Sequence, residues 1–116
     1  MLIRQKPRRV KELEMSDGTK PFARWFSKLK DVRAKAQIRL RFNKIETDGH
    51  LGDYSPVGDG VFELRFFTGP GYRVYFAHEG ERIILLLMGG DKSTQAKDIA
   101  RAKVFREDWK RRKKHA

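Results

Sequence analysis

The sequence predicts a small α+β protein, in which a first strand and a helical hairpin pack on an antiparallel three-stranded meander followed by a C-terminal helix. Apolar residues recur at helical spacing between residues 20 and 48, and residues 61–88 hold three strand-like segments separated by glycine turns. A length of 116 residues allows one domain, and an aromatic content of 11% allows a modest core. We therefore expect a single domain over residues 1–116.

The first half of the chain predicts a strand and two helices. Residues 8–15 form a weak first strand. Thr19 or Lys20 then starts a helix with Pro21 in its first turn, where the missing N–H costs nothing. Asp31 can cap a second helix that runs to about residue 48. The first helix has one apolar face, made of Phe22, Trp25, Phe26 and Leu29, and the second has another, made of Ala34, Ile38, Phe42 and Ile45.

The second half predicts a loop, a meander and a helix. Residues 48–60 hold four glycines and one proline, which is typical of a loop. Residues 61–67 and 72–78 read as a hairpin joined by a turn. Residues 82–88 are apolar without alternation, which predicts a central strand covered on both faces. Ser93 or Thr94 then caps a helix that passes Trp109, and we expect residues 110–116 to fray into a basic tail.

The charge of the chain is strongly positive and unevenly distributed. The formal net charge is +12, from 27 Lys and Arg against 15 Asp and Glu. Residues 1–50 have a balance of +8, residues 51–91 of −3 and residues 92–116 of +7. Basic flanks around a nearly neutral sheet favour nucleic acid or an acidic protein as the partner. Solubility alone is the alternative explanation.

The composition excludes several classes of protein. There is no cysteine, so a disulfide scaffold, a thiolate metal site and a cysteine nucleophile are excluded. The three histidines have no metal-ligand spacing, and we expect neither a metal nor a cofactor. No apolar run reaches the roughly 18 residues of a membrane span, and residues 1–7 lack the apolar stretch of a signal peptide. We therefore expect a cytoplasmic protein.

Alternation along the hairpin strands puts several charged side chains on one face of the sheet. Phe62, Leu64 and Phe66 face the helical hairpin, and the opposite face should be polar and only partly covered. Two arginines can clamp a phosphate, with Lys92 in reach, and Tyr75 or Tyr72 can stack on a base or donate a hydrogen bond. An ordinary cross-strand ion pair is the alternative. The residues of this opposite face are Glu63, Arg65, Arg73 and Tyr75.

Polar residues outside the hairpin are candidates of a weaker kind. His50, in the predicted loop, is either a proton-transfer group or simply solvated. Arg41 and Lys44 lie on the wet side of the second helix and are candidates for substrate binding. The stretch from Gly89 to Thr94 leads into a helix N-terminus, where free N–H groups can bind an anion, but it lacks a Walker-type spacing.

Three stretches together resemble the RelE/ParE toxin superfamily of bacterial toxin–antitoxin modules. They are Glu63-Leu64-Arg65, Gly69-Pro70-Gly71-Tyr72-Arg73 and Gly89-Gly90-Asp91-Lys92-Ser93-Thr94-Gln95. The resemblance covers about residues 10–105. It is closest to the HigB-like addiction module killer proteins, a phage-derived, Gp49-like branch.

The resemblance implies a microbial-ribonuclease-like fold and cleavage of messenger RNA, often in the ribosomal A site, without a metal. It implies Arg73, Arg65 and Lys92 at the reacting phosphate, and it offers His50 and Asp91 as loosely placed proton-transfer candidates. To these we add Tyr75 as a proton-transfer candidate. The candidates for substrate binding are Tyr72, Arg41, Lys44 and Glu63. The resemblance also implies a cognate antitoxin, usually with a helix-turn-helix domain, and a possible heterotetramer with it.

The sequence departs from the RelE pattern at two places. Val61 and Glu63 stand where RelE enzymes have strand lysines, and residues 95–98 offer no counterpart of their C-terminal tyrosine. Two alternatives to an endoribonuclease therefore stay open. One is a ParE-like inhibitor of DNA gyrase that does not cleave, and the other is an inactive member that only binds its antitoxin.

Overall fold

Five strands and three helices make up the computed structural model, which describes residues 6–115. Most of the segment considered for a signal peptide, and Ala116 of the basic tail, lie outside that range. In chain order the elements are β1 (Arg9–Glu12), α1 (Pro21–Lys28), α2 (Val32–Asp48), β2 (Tyr54–Gly58), β3 (Val61–Arg65), β4 (Tyr72–Glu79), β5 (Ile83–Asp91) and α3 (Gln95–Lys114), with one 3₁₀ turn (Lys92–Thr94) before α3.

The strands form one sheet in the order β1-β5-β4-β3-β2. β1 is parallel to β5, and the remaining neighbours are antiparallel. The mixed α+β prediction is confirmed, as is the central position of β5, which has a strand on each side. The prediction of a plain loop over residues 48–60 is wrong, because Tyr54–Gly58 pairs with β3 as an edge strand. Pro56 fits an edge, where an N–H is dispensable.

The helical hairpin forms as predicted, and its local signals are visible. Pro21 stands at the start of α1. The Asp31 Oδ1 atom accepts a hydrogen bond from the Ala34 N–H at 3.0 Å and caps α2. Gly49 ends α2 in the left-handed region at φ 79°, where glycine is favoured. Phe22, Ile38 and Ile45 are buried against the sheet.

The sheet has a core on each face. Cover on both faces was predicted for β5 but not for the hairpin strands β3 and β4. One core lies under α1 and α2 and includes Leu64, Val74 and Phe76. The other lies under α3 and includes Val61, Tyr75, Ala77, Leu85, Leu87 and Ala102. The prediction that this second face is only partly covered is therefore wrong. Ile99, Ala102, Phe105 and Trp109 give α3 an apolar stripe that packs across it.

The C-terminal helix also extends further than expected. The predicted fraying after residue 109 is wrong, since α3 continues to Lys114. Glu79 at the end of β4 accepts from Lys113 Nζ at 2.7 Å and from Lys11 Nζ at 3.2 Å. These two lysines lower the pKa of Glu79, with the Lys113 hydrogen bond the larger cause. The contact holds the last turns of α3 to the sheet.

Two adjacent glycines let helices approach β5 from both faces. A Cβ atom on Gly89 would overlap the Trp25 ring of α1, and one on Gly90 would overlap the Asp98 carboxylate of α3. Larger residues at these positions would push the layers apart. Within residues 6–115, no helix is both long and apolar enough to cross a membrane.

His78 makes the stability of the fold depend on pH. Its ring packs edge-on against Phe62 and Phe76, with centroids 5.0 and 5.6 Å away. Burial, with Arg8 nearby, lowers the pKa of His78 from its usual 6.5. The folded state thus binds fewer protons than the unfolded state, so the contribution is complete above pH 6.5 and is lost as the pH falls below it.

We expect the thermal unfolding midpoint to fall between pH 7.5 and pH 5.5, and His78→Phe to flatten that slope. His50→Asn is the matched control, because His50 is exposed and its loss should leave the slope unchanged. Circular dichroism melts at several pH values measure both. An unchanged slope in His78→Phe would contradict this role.

Candidate functional site

The predicted catalytic face is organised around one buried carboxylate. Glu63 is 2% exposed. Its Oε1 accepts from Arg65 Nε at 3.0 Å, and its Oε2 accepts from Gln95 Nε2 at 3.0 Å. Arg73 Nε lies 3.9 Å from Oε2. We call Glu63, Arg65, Arg73 and Gln95 the Glu63 cluster.

Strand register and one helix terminus bring the cluster together. Glu63 is opposite Tyr75, and Arg65 is opposite Arg73, on the antiparallel pair β3–β4. These side chains therefore share the face that α3 covers. Gln95 reaches the carboxylate from the first residue of α3. The cross-strand ion pair predicted as the alternative is thus present, and Glu63 pairs with both Arg65 and Arg73.

The two arginines differ in how far they reach solvent. The Arg65 side chain is 37% exposed and the Arg73 side chain only 10%. Arg73 Nη1 donates to the Gly71 and Tyr72 carbonyls at 3.3 and 3.2 Å, which fixes the guanidinium. Among the described residues, the terminal nitrogens of Arg65 make no hydrogen bond. Arg65 therefore has donors that can point to a phosphate.

Lys92 adds a third positive charge beside the cluster. A Cβ atom on Gly71 would lie 3.5 Å from both Arg73 Nη1 and the Lys92 Cβ. Gly71 thus separates the two side chains at the mouth of the hairpin, and its φ of 79° suits glycine. Lys92 is exposed on the 3₁₀ turn. Asp91 and Asp98 are also close enough to raise the pKa of Tyr75 in this corner. The three cations therefore lie among three carboxylates, and Arg65 and Lys92 are the cations that reach solvent.

The two candidate tyrosines point into opposite cores. Tyr75 is fully buried, and its hydroxyl has no hydrogen-bond partner. Burial, then Glu63 and Asp98, raise the pKa of Tyr75 above its usual value. Tyr72 faces α1 and donates to Asp31 Oδ2 at 3.3 Å. Burial, then Asp31, raise its pKa too. The structure therefore brings neither hydroxyl to the surface of the Glu63 cluster.

The remaining candidates lie elsewhere. Arg41, Lys44 and His50 line a groove of about 650 Å³ between α2 and the end of β3. Asp91 lines a cavity of about 730 Å³ between α1 and α3, and its Oδ1 accepts from the Ser93 N–H at 2.8 Å. The predicted residues therefore divide into the Glu63 cluster with Lys92, the groove, and the cavity beside β5.

Arg41 uses its donors within the protein. Its Nη1 donates to the Leu51 and Asp53 carbonyls at 3.1 and 3.2 Å, and its Nη2 donates to the Arg65 carbonyl at 2.9 Å. Burial lowers the pKa of this guanidinium. Arg41 therefore joins α2, the loop before β2 and the end of β3, with three of its N–H groups bonded to backbone carbonyls.

Two residues were missed by the sequence reasoning. Gln95 holds Glu63, and Asp98 lies buried one turn later, where its Oδ2 accepts from Thr94 Oγ1 at 2.5 Å. The spacing of four residues between Thr94 and Asp98 at a helix start could have predicted their hydrogen bond, because residues i and i+4 are neighbours on a helix. Nothing local in the sequence links Gln95 to Glu63. Within residues 6–115, no three His, Asp or Glu side chains are grouped to hold a metal ion.

Removing the central carboxylate should destabilise the fold. Glu63→Ala leaves the largely buried Arg73 charge without its partner, and breaking a buried ion pair costs about 3 kcal/mol or more. Glu81→Ala, at an exposed turn position, is the control and should stay within about 0.5 kcal/mol of wild type. Urea denaturation measures both variants. Equal stabilities would mean that Glu63 does not organise the arginines.

Comparison with known proteins gives the chain a family. Residues 24–108, more than half of the chain, match the family described as "Phage derived protein Gp49-like (DUF891)". An uncharacterized protein of Haemophilus influenzae strain Rd is 48% identical over 90 residues, which cover 78% of this chain and 90% of that protein. No solved structure matches the chain. The chain therefore belongs to the phage-derived, Gp49-like family of toxin–antitoxin-related proteins.

Proposed function

We propose that this protein is the toxin of a bacterial toxin–antitoxin pair and that it inhibits translation by cutting messenger RNA on the ribosome. Family membership supports the toxin role. The observation that supports RNA cleavage is the Glu63 cluster, which holds two guanidiniums in fixed positions beside the exposed Lys92. The net charge of +12 supports a polyanionic substrate.

The proposed reaction needs only groups of the RNA and cations of the protein. A 2′-hydroxyl attacks its adjacent phosphorus, the bond to the 5′ oxygen of the next nucleotide breaks, and a 2′,3′-cyclic phosphate and a 5′-hydroxyl result. Solvent water takes up the hydroxyl proton and returns a proton to the leaving 5′ oxygen. Arg65, Arg73 and Lys92 stabilise the extra negative charge of the phosphorane.

The geometry argues against all three proton-transfer candidates. Tyr75 is buried with a raised pKa, so we do not assign it a proton-transfer role. The Asp91 carboxylate caps the 3₁₀ turn by accepting from the Ser93 N–H. His50 lies in the groove between α2 and the end of β3, on the face of the sheet opposite the Glu63 cluster. We therefore propose alignment and charge stabilisation as the main contributions of the chain.

We propose that this protein is a HigB-like member of the RelE/ParE superfamily. The strand–helix–helix order followed by an antiparallel meander supports placement near the HigB-like branch of the RelE/ParE superfamily. We propose a cytoplasmic toxin that is neutralised in a heterotetramer by an antitoxin with a helix-turn-helix domain. The basic charge of α3, with four Lys and Arg in its last turn, supports an acidic contact segment on that partner.

A non-cleaving toxin is the second candidate, and one observation favours it. Glu63 stands in the middle of the arginines and offsets part of their charge. A site that must stabilise a phosphorane gains from unpaired cations. On this alternative the cluster is structural, and the protein acts by binding a target such as DNA gyrase or only its antitoxin.

Arg73→Ala separates these candidates. If Arg73 stabilises the phosphorane, its loss should reduce cleavage by about 10²-fold or more, the scale for removal of one such donor. Arg82→Ala is the matched control, because Arg82 is exposed in the turn before β5 and should cleave like wild type. Each variant is induced in bacteria without antitoxin, and new 5′ ends are mapped on a reporter message.

New ends in translated regions that persist in Arg73→Ala would refute the assignment of this residue. Growth arrest without new ends, together with double-strand DNA breaks, would support the gyrase alternative. No arrest with the wild-type protein would leave a member that only binds its antitoxin.

A further inference from the structure

The groove between α2 and the end of β3 has two cations and no carboxylate in its lining. Arg41 and Lys44 line it together with His50. Asp53, outside the lining, interacts with Arg41, so Lys44 is the cation that the groove offers to a ligand. Two other cavities in the described chain have carboxylates in their lining. The cavity beside β5 includes Asp17, Asp91 and Asp98, and the one beside the β2–β3 turn includes Asp59 and Glu107. The groove is therefore the better place for an anionic ligand.

The same groove has an unusually exposed aromatic ring. Phe67, directly after Phe66 at the end of β3, is 80% exposed, and Leu40 on α2 is 61% exposed. Both line the groove, together with the exposed Lys44. Large apolar side chains this exposed to water lack the hydrophobic stabilisation that burial provides. A ligand that covers them would supply that stabilisation.

Polar groups at the groove complete the set that a nucleobase requires. At the groove wall the Thr68 hydroxyl donates to the Gln37 side-chain oxygen. The Gln37 amide nitrogen takes no part in that bond and can donate to a ligand. Arg41 is fixed by three carbonyls and lies 4.4 Å from the Phe66 ring centroid. The groove wall is thus preorganised, while Phe67 and Lys44 face the open side.

We propose that this groove is a single-stranded RNA subsite, in which a base stacks on Phe67 and Lys44 contacts a neighbouring phosphate. An aromatic platform next to an uncompensated cation is the usual composition of sequence-tolerant single-strand binding. An acidic peptide would use the same charge, but the flat, exposed Phe67 ring beside a hydrogen-bonding amide favours a base. The inference rests on the proposed function, because it takes RNA as the substrate.

The position of Arg65 links the subsite to the Glu63 cluster. Its carbonyl accepts from Arg41 at the groove, while its side chain joins Glu63 on the opposite face of the sheet. In this proposal the RNA strand passes from the groove around residues 66–71 towards the partly exposed Arg65 side chain. The subsite therefore holds nucleotides that flank the proposed cleavage position, and Phe67 is a substrate-binding residue.

The test is binding of a fluorescein-labelled, 2′-O-methyl 12-nucleotide RNA to the full chain, followed by fluorescence anisotropy. Phe67→Ala should weaken binding at least about 5-fold, since one stacked base contributes about 1–3 kcal/mol. Phe67→Trp should bind as tightly as wild type or more tightly. Lys44→Ala should weaken binding and reduce the salt slope by about 0.7, the value for one phosphate contact.

Val104→Ala is the matched control, because Val104 is 63% exposed on α3, away from the groove. It should bind like wild type, and melts should show that all variants fold. Phe67→Ala with wild-type affinity overturns the subsite, and if that variant still cleaves RNA the proposed function stands. If Phe67→Ala instead loses binding to a polyglutamate peptide and keeps RNA binding, the groove is a protein-docking site and the RNA subsite is overturned. A wild type that neither binds nor cleaves RNA refutes both proposals.

Discussion

The Glu63 carboxylate lies almost fully buried between β3 and α3, and a buried charge is stable only with compensating partners. Those partners come from three elements: Arg65 on β3, Arg73 on β4 and Gln95 on α3. Compensation of one carboxylate therefore brings two guanidiniums and the start of a helix together, and the Gly71 and Tyr72 carbonyls add two hydrogen bonds to Arg73. The arrangement of the proposed active corner depends on this single requirement.

The apolar character of β5 imposes the layers on either side. Its side chains are buried on both faces, so helices must cover both. Gly89 and Gly90 let Trp25 and Asp98 approach the strand closely from opposite sides. The end of β5 thus anchors α1 and leads directly into Lys92 and α3. The packing of α1 and α3 and the proposed site therefore share this end of β5.

Local signals made much of this fold predictable. The apolar spacing from Phe22 to Leu29, the Asp31 cap and the unbroken apolar run of β5 each predicted the observed element. β2 was missed because Pro56 and Gly58 suggest a loop, and because its formation depends on pairing with β3. The cover of the second face was missed because the Ile99–Trp109 stripe is embedded in a highly charged segment.

The candidate site was less predictable than the fold, for a physical reason. Alternation placed Glu63, Arg65 and Arg73 on one face, as the structure has them. Burial of Tyr75 and the Gln95 contact depend on how α3 docks, and no residue near Glu63 in sequence encodes that. The sequence predicted Arg41 as a solvent-exposed cation on α2, yet three of its N–H groups donate to carbonyls 10 to 24 residues away.

A double-mutant cycle between Glu63 and Arg73 tests the central claim most directly, with the free energy of unfolding measured for wild type, Glu63→Gln, Arg73→Met and the double variant. If the carboxylate organises the arginines, the two changes should couple by about 1 kcal/mol or more, within the range for residues that share a buried network. Additive effects, within about 0.3 kcal/mol, would contradict this account, because they would mean that Arg73 keeps its place without Glu63.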